Sequence, residues 1–264
     1  MRKLILCELF KYRRNKVIPA LTSLSLLFPL ALIFMTKSEL NGADTLAEYH
    51  AYYDSLFNNN LAYSSMLLLP ALSGCISAVL FFTERDCGAF KNLRVIPVTE
   101  RELIFAKLIT LYLWSVIYSA GSTAAMTLFC FFLEPAAVYD VLFRLFCGML
   151  TGVTMATVSL PVVVIVIYMN QSYLLSLLLS FLYAAANWLL LILFASNDSA
   201  LRWLTLINGL ILPSSLLGWR KAFLGVGELT ALPFQEYVFT ALFLLFSLSL
   251  CTFLIIRFYK KWSR

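Results

Sequence analysis

An all-α polytopic membrane fold with six transmembrane helices is what this sequence predicts, and three observations carry the prediction. Of its 264 residues, 61% are hydrophobic and only 13% charged, with a mean hydropathy of +0.86, a balance that an ordinary water-soluble domain does not have. Six runs of 20 or more residues hold no Asp, Glu, Lys, Arg or His, and each is long enough as a helix to cross a hydrocarbon core of about 30 Å. The basic residues are also sorted: placing both termini on the inner side leaves 15 of the 20 Lys and Arg there. The whole chain, 1–264, reads as one transmembrane domain.

In chain order, residues 1–16 carry six basic residues, Arg2, Lys3, Lys11, Arg13, Arg14 and Lys16, against the single acid Glu8. On a helical wheel Ile5, Leu6, Leu9, Phe10 and Tyr12 fall in one half and Lys3, Glu8, Lys11, Arg14 and Asn15 in the other. Leu4 breaks the pattern, and Arg2, Arg13 and Lys16 intrude on the apolar side. This predicts an amphipathic helix on an anionic membrane surface, the alternative being a solvated basic leader. Residues 17–36 form the first span, with Pro19 in its first turn and Pro29 as a predicted kink. Nothing like a small-x-small cleavage site precedes Lys37, which argues against a signal peptide. The outer loop 37–60 holds Glu39, Asp44, Glu48 and Asp54 against one lysine, with Tyr49, Tyr53 and Phe57 at helical spacing. It reads either as an acidic, aromatic surface able to attract a cationic amphipathic peptide, or as a solvated loop resting on lipid. His50 stands there alone as a surface residue.

The second span is 61–83, and the segment that follows is too polar to enter a membrane. Thr83 and Asp86 can cap a short helix with Phe90 and Leu93 on its apolar edge and Lys91 and Arg94 on its basic one. Pro97 stops it. Thr99 and Glu102 then predict a capping box, with Val98 and Leu103 as its hydrophobic staple, leading into the third span at 108–133.

The fourth and fifth spans, 145–171 and 172–197, are parted by a polar turn at Asn170, Gln171 and Ser172, and the sixth is 237–256. Between the fifth and sixth, the apolar stretch 201–217 is interrupted by Asn208-Gly209 and Pro213-Ser214-Ser215. A seventh span there would put the basic tail outside, so 201–236 is expected to be a re-entrant or interfacial hairpin with its outer connection. The six cysteines fall in spans or on the inner face, in no disulfide or metal pattern.

The charge-free spans disfavour proton-coupled transport and leave no acid/base pair or nucleophile for an intramembrane enzyme. Hydroxyls and small residues recur instead. Ser115, Ser119, Thr123 and Thr127 repeat every four residues along the third span, and Gly148, Gly152 and Ala156 along the fourth, with Pro161 beyond as a predicted kink. Close helix packing is the simpler reading of both rows, and the lining of a substrate pathway the other.

One segment carries a resemblance. Phe82, Glu84, Gly88, Lys91, Leu93, Pro97, Thr99, Leu103, Ala106 and Lys107 stand in the arrangement F-x-E-x3-G-x2-K-x-L-x3-P-x-T-x3-L-x2-A-K, which is similar to the linker between spans two and three of type-2 ABC exporter permeases. The leader, the six spans and the broken hydrophobic stretch before the last span resemble the same family across essentially the whole chain. The size and the lack of a fused ATPase most resemble the permeases of lantibiotic-immunity transporters, which expel antimicrobial peptides.

The resemblance implies a half-transporter in a bacterial plasma membrane, with both termini cytoplasmic. Glu84, Arg85, Asp86, Gly88, Phe90, Lys91, Leu93, Arg94 and Pro97 would belong to a cytoplasmic coupling helix, within 84–107, that docks on an ABC ATPase dimer. Ile5, Leu9, Lys11, Tyr12 and Arg14 would belong to an interface helix along the membrane. A second permease, identical or different, completes the unit, and no nucleic acid is involved. There is no G-x4-G-K-[ST] phosphate loop, so any nucleotide chemistry must come from another polypeptide; the resemblance implies that this chain binds no cofactor and is no enzyme, with ATP and Mg on the partner. The implied substrate is a lantibiotic or similar cationic peptide, with another amphiphile, a polymer or an ion as the alternative. Outside the family, a stand-alone channel, sensor or secondary carrier is the other class.

Overall fold

The computed structural model describes residues 2–42, 44–86, 99–169, 173–193, 205–225 and 234–263. Helix α1 (Arg2–Arg14) is followed by α2 (Val17–Asn41). Helix α3 (Leu46–Asn60) runs through a π-helical stretch (Leu61–Leu68) into α4 (Leu69–Asp86). Then come α5 (Glu100–Leu133), a 3-10 turn (Pro135–Ala137), α6 (Val141–Met169), α7 (Tyr173–Leu193), α8 (Thr205–Phe223) and α9 (Phe234–Ser263). Among the described residues six helical stretches are long and apolar enough to cross a membrane: α2, α3 with α4, α5, α6, α7 and α9.

Local chemistry sets the boundaries. At the start of α5 the Thr99 hydroxyl accepts from the Glu102 amide at 3.3 Å, and the Glu102 carboxylate accepts from the Thr99 amide at 3.0 Å, the predicted capping box. Thr45 and Glu48 form a second box, and Glu48 also accepts from the Asp44 amide at 2.7 Å. That second box corrects the expected outer loop, because a helix starts at Leu46 and continues into the second span. The aromatic row belongs to its packed face: Tyr53 and Phe57 are fully buried, and Tyr49, half-buried, packs against the same cluster. The π stretch ends two residues before Pro70, where the helical ladder has no donor to offer.

Helix α6 is the hub, packed by α4, α5, α7, α8 and α9. Its closest crossing is with α5: a Cβ on Gly152 would come within 2.8 Å of the Ser115 carbonyl oxygen and the Val116 Cα, so only glycine lets the backbones meet there. Helices α4 and α7 meet at Gly74, where a Cβ would overlap Ser180. Helices α2, α7 and α9 keep broad apolar faces exposed, with Leu27, Phe34, Leu178, Leu182, Leu242 and Phe246 among them, as lipid-facing helices do.

Both termini lie at one end of the bundle, the terminal end. Glu8 and Leu80 share Lys107 as a partner, and the rings of Phe81 and Tyr259 are 5.9 Å apart. The opposite end is the distal end.

The stretch expected to break at Asn208-Gly209 and Pro213 is one unbroken helix, α8, lying along α6. Pro213 has no amide hydrogen for the carbonyl of Gly209, four residues back. The Thr154 hydroxyl of α6 supplies it, donating to that carbonyl at 2.6 Å. Close approach is possible because residue 209 is glycine: a Cβ would stand 2.8 Å from the Met155 sulfur. From this depth beside α6 the helix climbs to the distal end, where Arg220 meets Asp140. Residues 201–204 of the expected hairpin, and its outer connection at 226–233, lie outside the described residues.

Candidate functional site

At the terminal end, a buried ion pair ties three helices together. Lys107, in the second turn of α5, is buried; its ammonium donates to the Leu80 carbonyl of α4 at 2.7 Å and to the Glu8 carboxylate of α1 at 3.3 Å. The Phe81 ring centre lies 5.6 Å from the same nitrogen. Glu8 is also buried, and Lys11 pairs with its other oxygen at 2.6 Å. Tyr12, one turn on, is buried too, and burial together with the Glu8 charge pushes its phenol far above the ordinary value. A charge so placed needs a counter-charge and hydrogen bonds at once, and the junction provides both.

The sequence phase of α1 is corrected by this arrangement. Glu8 lies on the bundle side rather than toward water, and Leu4, one turn before it, packs on the core. Leu6 and Phe10 are exposed, Ile5 and Leu9 half-buried, and Lys11 projects outward. The side chain of Arg14 falls outside the described residues.

Of the segment expected to dock a partner, Glu84, Arg85 and Asp86 end α4, and their side chains lie outside the described residues. Gly88, Phe90, Lys91, Leu93, Arg94 and Pro97 also fall outside them. Its two ends are anchored to the junction: Leu80 lies one turn before Glu84, and Lys107 on the helix that follows.

Within the membrane, the two predicted rows face each other. Ser119 donates to the Gly148 carbonyl at 2.7 Å, and a Cβ on Gly148 would come within 2.5 Å of the Thr123 hydroxyl. Ser115 and Thr123 donate back to carbonyls of their own helix, while Thr127 also meets the Tyr53 hydroxyl at 3.0 Å. Ser115, Ser119, Thr123, Gly152 and Ala156 are all buried. Beside this row Ser122 donates to the Asn60 side-chain oxygen Oδ1 at 2.8 Å and meets Ser64 of the π stretch at 2.9 Å.

The distal end holds a second cluster of charges. Asp54 of α3 accepts from Tyr139 at 2.5 Å, from Lys221 of α8 at 2.7 Å and from Arg144 of α6. Arg144 is fully buried, its guanidinium 4.2 Å from the Tyr53 ring centre and 4.5 Å from that of Tyr139. Burial and the hydrogen bond to Asp54 push the Tyr139 phenol well above its ordinary value. His50 packs on the Tyr139 ring, 4.5 Å between centres.

A family model described as ABC-2 family transporter protein matches residues 4–187, from the first turns of α1 to within two turns of the end of α7. The chain belongs to the ABC-2 transporter family. No curated protein matches it in sequence. It is the membrane permease component of an ABC-2 transporter, a multi-pass membrane protein that is not itself an enzyme. ABC-2 permeases work with a partner ATPase, which carries the ATP site.

In this ABC-2 permease the residues that sequence reasoning missed are the buried charges. Lys107 and Arg144 stand immediately before charge-free runs, where each reads as an interfacial flank, and Glu8 reads as the polar face of the leader. One signal was present: Glu8 is the only acid among the first sixteen residues, and it is the one that pairs inward.

Proposed function

We propose that this ABC-2 permease is half of an ATP-driven exporter that removes a cationic amphiphilic peptide, of the lantibiotic kind, from a bacterial plasma membrane. In this reading the terminal end is cytoplasmic, since the leader, the 84–107 segment and the chain end carry 15 of the 20 basic residues. The coupling helix lies within residues 84–107, α1 is the interface helix, and a second permease, the same chain or another, completes the pathway. The observation that carries the coupling role is the Glu8–Lys107 pair. It joins α1 to the foot of α4 and the start of α5, the two elements that flank residues 87–98, so a push on that segment reaches three helices together.

The substrate class is supported by family resemblance and by the distal end, where a groove of about 300 Å³ between α2 and α3 is lined by Glu39, Glu48 and Tyr52. Its two carboxylates suit a cationic ligand. Leu93→Asp tests the coupling role, because it sets an unpaired carboxylate in the centre of a small apolar interface. The variant is expected to reach the membrane at wild-type levels and to lose ATPase co-purification, with Asn92→Ala doing much less. Retention of both ATPase binding and transport by Leu93→Asp would remove the coupling assignment. Growth of cells with and without the transporter, challenged with candidate peptides, tests the substrate class separately.

A further inference from the structure

One carboxylate at the distal end serves two cations, and it holds them unequally. Asp54 gives its oxygen Oδ1 to Arg144 and to the Tyr139 hydroxyl, and its Oδ2 to the Lys221 ammonium at 2.7 Å. The Arg144 side chain is only 1% exposed, whereas those of Asp54 and Lys221 are 16% and 21% exposed. Arg144 is the fixed partner, because parting from Asp54 would strand a buried guanidinium. Lys221 reaches water, where an ion pair is worth little.

Lys221 also stands on a helix end that little else holds. Leu217 is the last buried residue of α8, and Trp219, Phe223 and Leu224 beyond it are exposed. Two ion pairs secure this last turn, Lys221 to Asp54 and Arg220 to Asp140. Arg220 is the firmer, with Nε and Nη2 on its carboxylate at 2.8 and 3.2 Å. Once released, Lys221 would keep a favourable place, since a cation in the last turn of a helix faces the negative end of the dipole.

The ammonium at Asp54 Oδ2 can therefore be exchanged at small cost, and its chemistry selects what replaces it. Lys221 shows that the site has room for a primary ammonium. A neutral group would forfeit the ion pair, and an anion would meet the carboxylate's own charge. Being tethered, Lys221 acts at a high effective concentration, so a lone amine loses the exchange, while a peptide with several cations and apolar contacts of its own can win it.

We propose that Asp54 Oδ2 is the docking point for a lysine-like ammonium of the exported peptide, occupied here by Lys221. The arriving peptide displaces Lys221 and frees the last turn of α8, which Arg220 keeps tethered. This rests on the reading of the substrate as a cationic peptide, and names the group that meets it.

A water-soluble carbodiimide joins a carboxylate to an amine in contact with it, and so records which amine sits on Asp54. The full-length permease is treated with and without dodecanoyl-tetralysine amide, whose only amines are on its side chains, and Asp54 is followed by peptide mass spectrometry. Without the probe, the wild type should give an Asp54–Lys221 link. Added probe should diminish that link and place a probe lysine on Asp54. Lys221→Met leaves Asp54 paired with Arg144 and should form the adduct at about fivefold lower probe concentration, the worth of a partly exposed pair. Lys221→Arg, which keeps the competing cation, should need the wild-type concentration. A missing Asp54–Lys221 link, adducts formed only on Glu39 or Glu48, or an equal probe requirement in Lys221→Met and wild type overturns the site. Equal displacement by methylammonium overturns the peptide as its occupant. The growth challenge reads export separately: protection without exchange at Asp54 removes this site and leaves the export reading, and exchange without protection does the reverse.

Discussion

Glu8 meets two lysines at once, and the consequences of removing it differ from those of removing an exposed acid. Lys107 is fully buried, so Glu8→Ala takes the carboxylate from an ammonium that water does not reach. Breaking such a pair destabilises by about 3–5 kcal/mol, far more than the roughly 0–1 kcal/mol of a surface pair. Glu8→Ala is expected to lower the melting midpoint of the purified permease clearly, and Lys107→Met, which leaves Glu8 paired with Lys11, to lower it less. Equal melting of Glu8→Ala and wild type would show that the junction contributes nothing to stability. Gly152 gives a second contrast. A Cβ there meets backbone atoms at 2.8 Å, whereas at Gly121 it meets only the Ser25 hydroxyl, at 3.2 Å. Gly152→Ala should therefore lose about 1–3 kcal/mol through forced separation of α5 from α6, with Gly121→Ala near neutral. Thermal unfolding of both variants in one detergent makes the comparison.

Among the elements, α8 shows how a sequence that breaks a helix in isolation keeps one in context. The Gly209 carbonyl, deprived of its donor by Pro213, is served by Thr154 from another helix. A double-mutant cycle measures that service. Thr154→Val should destabilise the wild type by about 1–2 kcal/mol and do so much less in a Pro213→Ala background, where the backbone amide returns. Equal effects in both backgrounds would mean that the hydroxyl does not replace the missing amide. The same helix marks a limit of reading from sequence: Asn208, Gly209 and Pro213 are locally correct break signals, and the compensating group lies on α6, more than fifty residues earlier. The box at Thr99 and Glu102 was legible because both partners are local. The equivalent box at Thr45 and Glu48 has the same spacing, but it was hidden inside a stretch rich in acids and asparagine that reads as a loop. Helix α1 was misphased for a further reason. A wheel sorts residues for one boundary between oil and water, and α1 has two neighbours, lipid and bundle, so Glu8 turns inward to meet Lys107.

For the whole molecule, the number and order of the six candidate spans were legible, though not where the second begins, because charge-free runs of membrane-spanning length leave few alternatives. The rows of Ser119 and of Gly148 were each legible, since four-residue spacing places each row on one side of its helix, but not that the two rows meet. The Asp54 cluster was not, as it depends on which helices meet at the distal end. The proposed orientation has a direct check. A cysteine replacing the exposed Asp44 should react with an impermeant reagent added outside intact cells, and one replacing the exposed Lys261 should react only after the membrane is opened. Labelling of Lys261→Cys in intact cells would reverse the orientation.

Asp54 also sets a clock. Its carboxylate binds Arg144, 90 residues further along the chain, and Lys221, further still. At about 5–20 residues per second, the ribosome delivers the first of these cations roughly 5–18 s after Asp54 has been made, and the second later. Until then the head of the second span carries an acid whose final partners do not yet exist, so this corner stays open during synthesis. A nascent chain that ends before Lys221 therefore still lacks one of the partners that close it, and the distal end is among the last parts of the permease to set.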